Sequence, residues 1–354
     1  MIHSIVPPYL LAKLAQADEH GLAGAAAAAR RALQGVGPLH DARVQHAAAV
    51  TPTLGATPPA LPVAVRRTIF DARHTEKLPG RAVRREGDTA SPDVTVDEAY
   101  DGLGATFALF HEEFGRDSID GAGLPLLATV HYGKSYDNAY WDGERMVFGD
   151  GDGEVFGRFT ASVSVIGHEL AHGVTQFSAG LAYEGQSGAL NESFSDVMGA
   201  LVEQRQKKQT AAEASWLIGE GLFTPAVQGR ALRSMTAPGT AYDDDVLGTD
   251  PQPADMAHYV QTSDDNGGVH LNSGIPNRAF ALVALELGGF SWQRAGQVWY
   301  DTMTGSLPSH ADFATFAAAT VAAATRRFGA DSGETRAVSA GWVKVGVLKG
   351  DPSQ

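Results

Sequence analysis

The sequence contains no cysteine among its 354 residues, and this absence excludes several kinds of chemistry. Without thiols the chain cannot form disulfides, bind a metal through thiolates or use a cysteine nucleophile. It also lacks any uninterrupted apolar run of membrane-spanning length, which is about 20 residues. Basic residues are outnumbered, because 27 Lys and Arg stand against 41 Asp and Glu for a formal net charge of −14. We therefore expect neither a nucleic acid nor a membrane as a partner.

The N-terminal segment lacks the features of a secretory signal. No basic region precedes its apolar residues, Pro7 and Pro8 interrupt them, and Lys13 lies among them. Localisation is therefore left open between the cytoplasm and export by an unconventional route. Residues 1–50 are rich in helix formers, and residues 51–62 contain four prolines. This composition predicts a small helical leader on an extended tether, with an ordinary helical hairpin and loop as the alternative.

The remainder of the chain changes character near Phe159. Before it, short β-favouring runs surround one helix, which we expect to begin with a capping box formed by Thr95 and Glu98. After it the pattern is helical, and it predicts helices over 161–177, 188–205, 271–288, 292–304, 309–328 and 334–345. The predicted fold is α+β with two lobes. A β-rich N-terminal lobe would cover 63–183, and a helical C-terminal lobe would cover 184–354.

The segment GHELAHGVTQ, residues 167–176, places two histidines four residues apart beside a glutamate. On a helix, His168 and His172 project from one face and can bind one zinc ion, for which imidazole is a preferred ligand. Glu169 is rotated by about 100° from His168, so it can accept a proton from a water molecule that zinc acidifies. Because H-E-x-x-H alone also occurs by chance, two exposed helix histidines are the alternative.

A second predicted helix offers the third ligand that a catalytic zinc site requires. In GALNESFSDVMG, residues 188–199, Glu192 is followed by Asp196 one turn further along the same face. We expect Glu192 to complete the ligand set and Asp196 to accept a hydrogen bond from a ligating histidine. A solvated acidic helix face is the alternative for both residues.

Together with these motifs, three other segments resemble the thermolysin family of zinc metalloendopeptidases: NAYWDGERMVFGDGDG (138–153), LRSM (232–235) and DDNGGVHLNSGIPNRAF (264–280). The resemblance covers roughly residues 65–345 and implies a two-lobed fold with the zinc helix between the lobes. It implies the following roles: zinc ligands His168, His172 and Glu192; general base Glu169; oxyanion donors His270 and Tyr183, with Asp265 orienting His270; supporting residues Asp196 and Asn191; and substrate-binding residues Asn138, Ala139 and Arg233.

The resemblance also implies a specificity and a metal content. Phe159, Val165, Leu222 and Leu232 would line an apolar pocket that favours a bulky hydrophobic residue after the scissile bond. Where the family's double calcium site has acids, this chain has Ser164, Ser215 and Leu217, and Arg230 stands at another calcium site. Since calcium requires several carboxylate oxygens, we expect one catalytic zinc ion and no calcium at the double site.

The short leader with Pro7, Pro8, Tyr9 and Leu10 resembles the protealysin-like branch of this family. The resemblance implies that residues 1–50 are a propeptide, with the Pro-Pro segment lying in the cleft, and that the chain is cut within about 45–62. The protein would be a monomeric neutral endopeptidase acting on proteins or peptides, made as an autoinhibited precursor. A catalytically silent binding protein, with the leader permanently docked on the same scaffold, is the alternative.

Overall fold

The computed structural model describes residues 3–34 and 64–350. The predicted linker over 51–62 and the predicted cleavage region lie outside these ranges. Among the described residues, no helix is both long and apolar enough to cross a bilayer.

The N-terminal lobe is built on a six-stranded sheet with the order β1-β5-β6-β4-β2-β3. Strands β2, β4 and β6 run parallel to their neighbours within this group, so their carboxyl ends meet at one edge. Strand β5 pairs antiparallel with β6, and β1, which belongs to the leader, pairs antiparallel with β5. The strands are His3–Ser4 (β1), Arg67–Asp71 (β2), Arg81–Arg85 (β3), Leu126–Val130 (β4), Ala139–Trp141 (β5) and Met146–Phe148 (β6).

The leader contributes helix α1, Pro8–Leu14, and helix α2, residues 23–34. In the N-terminal lobe, helix α3 spans Val94–Ala108 and continues into a π-helical turn, Leu109–Glu113.

The predicted capping box of helix α3 is wrong. Asp93 is the N-cap, and its side chain accepts a hydrogen bond from Thr95 N at 3.0 Å. Asp93 has the extended backbone that an N-cap requires, and its short carboxylate reaches the first free N–H groups. Glu98 points elsewhere, forming an ion pair with Arg158 and accepting a hydrogen bond from Thr160 Oγ1.

The predicted helices of the second half are present, with ends displaced by a few residues. The stretch predicted as one helix over 271–288 is divided between the end of one helix, Asp265–Asn272, and the whole of the next, Gly274–Leu287. Residues 265–268, at the start of the first of these helices, have positive φ. The helices are Val163–Gln176 (α4), Gly185–Lys207 (α5), Asp265–Asn272 (α6), Gly274–Leu287 (α7), Ala295–Met303 (α8), Phe313–Phe328 (α9) and Gly333–Lys344 (α10). Two further pairs of strands are short and antiparallel. Leu217–Ile218 (β7) pairs with Arg233–Ser234 (β8), and Asp243–Asp244 (β9) pairs with Gly248–Thr249 (β10).

Helices α4 and α5 cross at unusually short range. A Cβ atom on Gly199 of α5 would collide with Ser164 O and lie 3.1 Å from His168 N, both on α4. A Cβ atom on Gly167 of α4 would lie 3.0 Å from Gly199 Cα. The two glycines therefore allow the backbones to approach, and this approach brings the acidic face of α5 against the histidines of α4.

Candidate active site

Two imidazoles and one carboxylate converge where α4 and α5 cross. His168 Nε2 lies 3.1 Å from His172 Nε2, and each of these atoms lies 3.5 Å from an oxygen of Glu192. A tetrahedral zinc ion with ligands at about 2.0–2.1 Å needs donor atoms about 3.3 Å apart. All three side chains are buried, so the ion would be shielded from competing water. The donor types and their spacing therefore fit zinc.

Residues of α5 contact Nδ1 of both histidines and so orient the two rings. His168 Nδ1 lies 2.7 Å from Asp196 Oδ1, and His172 Nδ1 lies 2.9 Å from Asn191 Oδ1 and 3.0 Å from Ser195 Oγ. When Nδ1 donates to these acceptors, the lone pair of Nε2 is left for the metal. Asp196 and Asn191, two residues singled out in the sequence, thus lie beside the two histidines. Ser195 was not predicted, although its spacing of four residues from Asn191 places it on the same helix face.

Asp196 carries a larger network than the sequence indicated. Arg233 Nε and Nη2 each donate to one of its oxygens at 2.8 Å, and Asn277 Nδ2 donates to Oδ2 at 2.8 Å. Burial opposes the charged carboxylate, but the charges of Arg233 and His168 outweigh it and hold the pKa of Asp196 well below its usual range. Asn277 lies in the quoted segment 264–280 but received no predicted role, since nothing local in the sequence links it to α5.

Glu169 points into the cleft from the zinc helix. Its Oε2 accepts a hydrogen bond from Trp141 N of strand β5 at 3.0 Å, and the residue is buried. This contact holds the Glu169 carboxylate between strand β5 and the donor set formed by His168, His172 and Glu192. A general base would have to lie in this position.

On the opposite side of the donor set lie Tyr183 and His270. The Tyr183 hydroxyl donates to Glu192 Oε1 and lies 3.3 Å from His270 Nε2. Asp265 Oδ1 lies 2.6 Å from His270 Nδ1, and Asp265 Oδ2 accepts a hydrogen bond from His270 N at 2.8 Å. Burial disfavours the imidazolium, but the Asp265 and Glu192 carboxylates outweigh it and raise the pKa of His270 to about 9. Asp265 therefore fixes the ring so that Nε2 presents a proton to the cleft.

The leader occupies the cleft beside these groups. Ile5 N donates to Ala139 O at 3.2 Å, and Arg233 Nη1 donates to Ile5 O at 3.0 Å. Asn138 holds Val6 from both sides, accepting from Val6 N at 3.0 Å and donating to Val6 O at 3.3 Å.

The peptide that precedes Ile5 reaches His270. His270 Nε2 lies 3.2 Å from Ser4 O. All three main-chain-binding residues expected from the sequence, Asn138, Ala139 and Arg233, thus contact one peptide segment, Ser4–Val6.

The Pro-Pro pair directly follows this segment. Pro7 is the N-cap of helix α1 and Pro8 is its first residue. Proline suits that position because its fixed φ is helical and its missing N–H needs no partner there. Pro7 and Pro8 therefore end the extended segment after Val6 and direct the chain into a helix. Of the other two motif residues, Leu10 is buried and Tyr9 is half-buried.

The predicted apolar pocket residues are all buried. They belong to one continuous apolar cluster, which also contains Ile5 of the leader. The residues concerned are Phe159, Val165, Leu222 and Leu232.

A buried His-His-Glu donor set, flanked by a glutamate and by a Tyr-His pair facing a bound peptide, defines a zinc metallopeptidase. Comparison with known proteins places it more closely. Residues 63–176 match the family model of the thermolysin metallopeptidase catalytic domain, and residues 179–347 match that of the thermolysin metallopeptidase alpha-helical domain. The chain belongs to the thermolysin family of metalloendopeptidases.

Individual relatives agree with this assignment. The chain is 54% identical over 282 residues to an extracellular metalloprotease of Pectobacterium carotovorum, covering 79% of this chain and 81% of that one. It is 50% identical over 286 residues to Protease PrtS of a Photorhabdus species, covering 80% of this chain and 76% of that one. The solved structure of the protealysin precursor, a metalloproteinase from Serratia proteamaculans, superposes with a TM-score of 0.87 at 51% identity, covering 98% of this chain and 100% of that one. The chain is accordingly protealysin-like within the family.

Proposed function

We propose that this protein is a zinc-dependent neutral endopeptidase made as a precursor that its own leader inhibits. One observation carries the proposal. The segment Ser4–Val6 lies along strand β5 and engages Asn138, Ala139, Arg233 and His270 through its main chain. Main-chain contacts are available to any peptide, so a substrate would need the same groups that the leader now holds. The similar protealysin structure is also that of a precursor, which supports the same interpretation.

The roles of the residues follow from their positions. Zinc, held by His168, His172 and Glu192, would polarise the scissile carbonyl and acidify the attacking water. Glu169 would take the proton from that water, because its carboxylate lies beside the donor set and is fixed by Trp141 N. Tyr183 and His270 would donate hydrogen bonds to the developing oxyanion.

The Ser4 carbonyl marks where a scissile carbonyl would lie. Its oxygen is 3.2 Å from His270 Nε2, and the following carbonyl, that of Ile5, is held by Arg233. Ile5 would then stand in the position that follows the scissile bond. Ile5 is apolar and fully buried, and this supports a preference for bulky hydrophobic residues there.

We further propose one zinc ion per active site and no calcium at the family's double site. Ser164 Oγ accepts a hydrogen bond from Gly219 N at 3.1 Å, so this position serves the backbone where the family has a carboxylate. Nearby, the Lys207 ammonium forms an ion pair with Glu203. An ammonium group paired with this carboxylate opposes the binding of a divalent cation there.

The part of the propeptide that the structure describes, residues 3–34, would dock on the catalytic part at several points. Leu10, Leu11 and Leu14 of α1 are buried in the common apolar core, and Glu154 accepts a hydrogen bond from Ala25 N at the start of α2. A carboxylate at a helix N-terminus also interacts favourably with the helix dipole. These contacts support an inhibitor that is held in place at several points.

The test compares freshly purified, uncut precursor with processed enzyme on a peptide substrate. The key variant is Ile5→Arg, which places a charge in an apolar cluster and should displace the leader, raising the initial rate of uncut protein at least about 10-fold. Glu19→Arg, at an exposed leader position, is the matched control and should leave the rate low. Mass spectrometry verifies that the chains are uncut. If uncut precursor were as active as processed enzyme, the inhibitory role would be wrong.

A further inference from the structure

Three side chains outside the catalytic cleft converge at the carboxyl edge of the sheet. The parallel strands β2, β4 and β6 are neighbours, and each is followed within a few residues by one of these side chains: His74, His131 and Asp150, respectively. The fold therefore brings together residues that are far apart in the sequence.

Asp150 lies between the two imidazoles. His131 Nδ1 is 2.9 Å from each Asp150 oxygen, and His74 Nδ1 is 3.3 Å from Asp150 Oδ2. One donor atom from each of the three residues lies within 4.8 Å of the others. The two distances to Asp150 are close to the roughly 3.3 Å between donor atoms around a four-coordinate zinc ion.

The second ring nitrogen of His131 contacts a carboxylate, as in many metal-binding histidines. Its Nε2 lies 2.8 Å from Asp93 Oδ2, while the other oxygen of Asp93 accepts from Thr95 N at 3.0 Å and so is fixed at the start of α3. A carboxylate that holds one ring nitrogen leaves the other nitrogen for a metal. The catalytic His168 has the same arrangement with Asp196, with the two nitrogens exchanged.

The backbone at both histidines is in a conformation that non-glycine residues seldom adopt. His74 has φ 55° and His131 has φ 53°, and His74 N donates to His131 O at 2.8 Å. Left-handed backbone is unfavourable for residues other than glycine, and such residues cluster at ligand-binding and catalytic sites. Here both strained positions turn an imidazole toward the same carboxylate.

We propose that His74, His131 and Asp150 form an auxiliary binding site for a divalent zinc-like metal, separate from the catalytic centre. Two imidazole nitrogens and one carboxylate select Zn²⁺ or a similar transition metal over Ca²⁺, which takes six to eight oxygen ligands. The site opens to solvent on the side of His74, whose side chain is 61% exposed, so a water can complete the coordination. Metal binding displaces the proton that His131 Nδ1 shares with Asp150, so the metal competes with a proton there.

The test measures metal stoichiometry in the full precursor, carrying Glu169→Gln to prevent self-digestion. The protein is dialysed against a series of buffered Zn²⁺ concentrations, and bound zinc is measured by elemental analysis. The parent should reach two zinc ions per chain, and His74→Ala should reach one. His258→Ala is the matched control, because His258 is also exposed and paired with one aspartate, Asp255; it should retain two.

A second readout guards against a folding artefact. After the catalytic site is saturated, further zinc should raise the melting temperature of the parent and of His258→Ala but leave that of His74→Ala unchanged. A parent that binds only one zinc ion at every concentration, or a His74→Ala variant that still binds two, would overturn the proposal and leave the cluster as an ion-pair network. Neither outcome bears on peptidase activity, so this proposal fails independently of the proposed function.

Discussion

Replacing Asp137 by asparagine should stabilise the protein at neutral pH. Asp137 directly precedes the substrate-binding Asn138 and is fully buried. Burial and the neighbouring Asp152 carboxylate raise the pKa of Asp137 from 3.8 to about 10. The folded protein therefore keeps this carboxyl protonated at pH 7, whereas the unfolded chain ionises it.

The magnitude follows from the linkage between proton binding and folding. An acid whose pKa is raised by folding contributes its full stability only below its unfolded pKa, and this contribution is lost as the pH rises toward the folded pKa. Each pH unit between the two values costs about 1.36 kcal/mol, so the loss at pH 7 is at most about 4 kcal/mol. Water entry or a local rearrangement reduces this figure. Asparagine has nearly the same shape and no charge to lose, so Asp137→Asn removes the loss.

The assay is denaturant unfolding of Asp137→Asn and its parent between about pH 5 and pH 8, both carrying Glu169→Gln. The stability gain should grow by up to about 1.4 kcal/mol per pH unit and approach zero near pH 4. Asp245→Asn, which removes the same charge from an exposed position, should give no such slope. A gain that does not vary with pH, or a loss of stability at pH 7, would refute the reasoning.

Three further outcomes are expected. Gly199→Ala should separate α5 from α4, costing about 1–3 kcal/mol of stability and weakening zinc binding in a competition titration; unchanged zinc affinity would contradict the role given to this crossing. Arg233→Lys should lower the kcat/KM of processed enzyme about 10²-fold, because lysine cannot make the paired contacts to Asp196 and a substrate carbonyl; a change of less than about 3-fold would argue against it. Removing zinc with a chelator should abolish activity and lower the melting temperature, and added zinc should restore both; persistent activity would rule out a zinc mechanism.

The zinc site was largely predictable from the sequence because its ligands are recognised by their spacing within single helices. The four-residue spacing of His168 and His172 requires only a helix, and Glu192 with Asp196 requires only a second helix packed against it. The resemblance to a known family then supplied which helix faces which. The structure adds the glycine crossing of α4 and α5, which no local pattern indicated.

The contacts that depend on long-range pairing were less predictable. Nothing in the composition of the leader shows that Ser4–Val6, and not Pro7 and Pro8, would lie on β5. Likewise, His74, His131 and Asp150 become neighbours only through strand order, which the sequence pattern leaves open. The helix start at Asp93 was missed for a different reason, because Thr95 and Glu98 satisfy the same local rule and only the geometry decides between them.

The leader is covalently attached to the catalytic part whose cleft it occupies. After cleavage of the chain, the activity should therefore depend on protein concentration. Under the proposed inhibition, the tethered segment of an intact chain would act at an effective concentration in about the millimolar range and would exclude substrates however dilute the protein is. A single cut converts it into a separate polypeptide whose hold weakens as the solution is diluted. Cleaved protein at high concentration would then remain inhibited, and the same protein would become active on dilution.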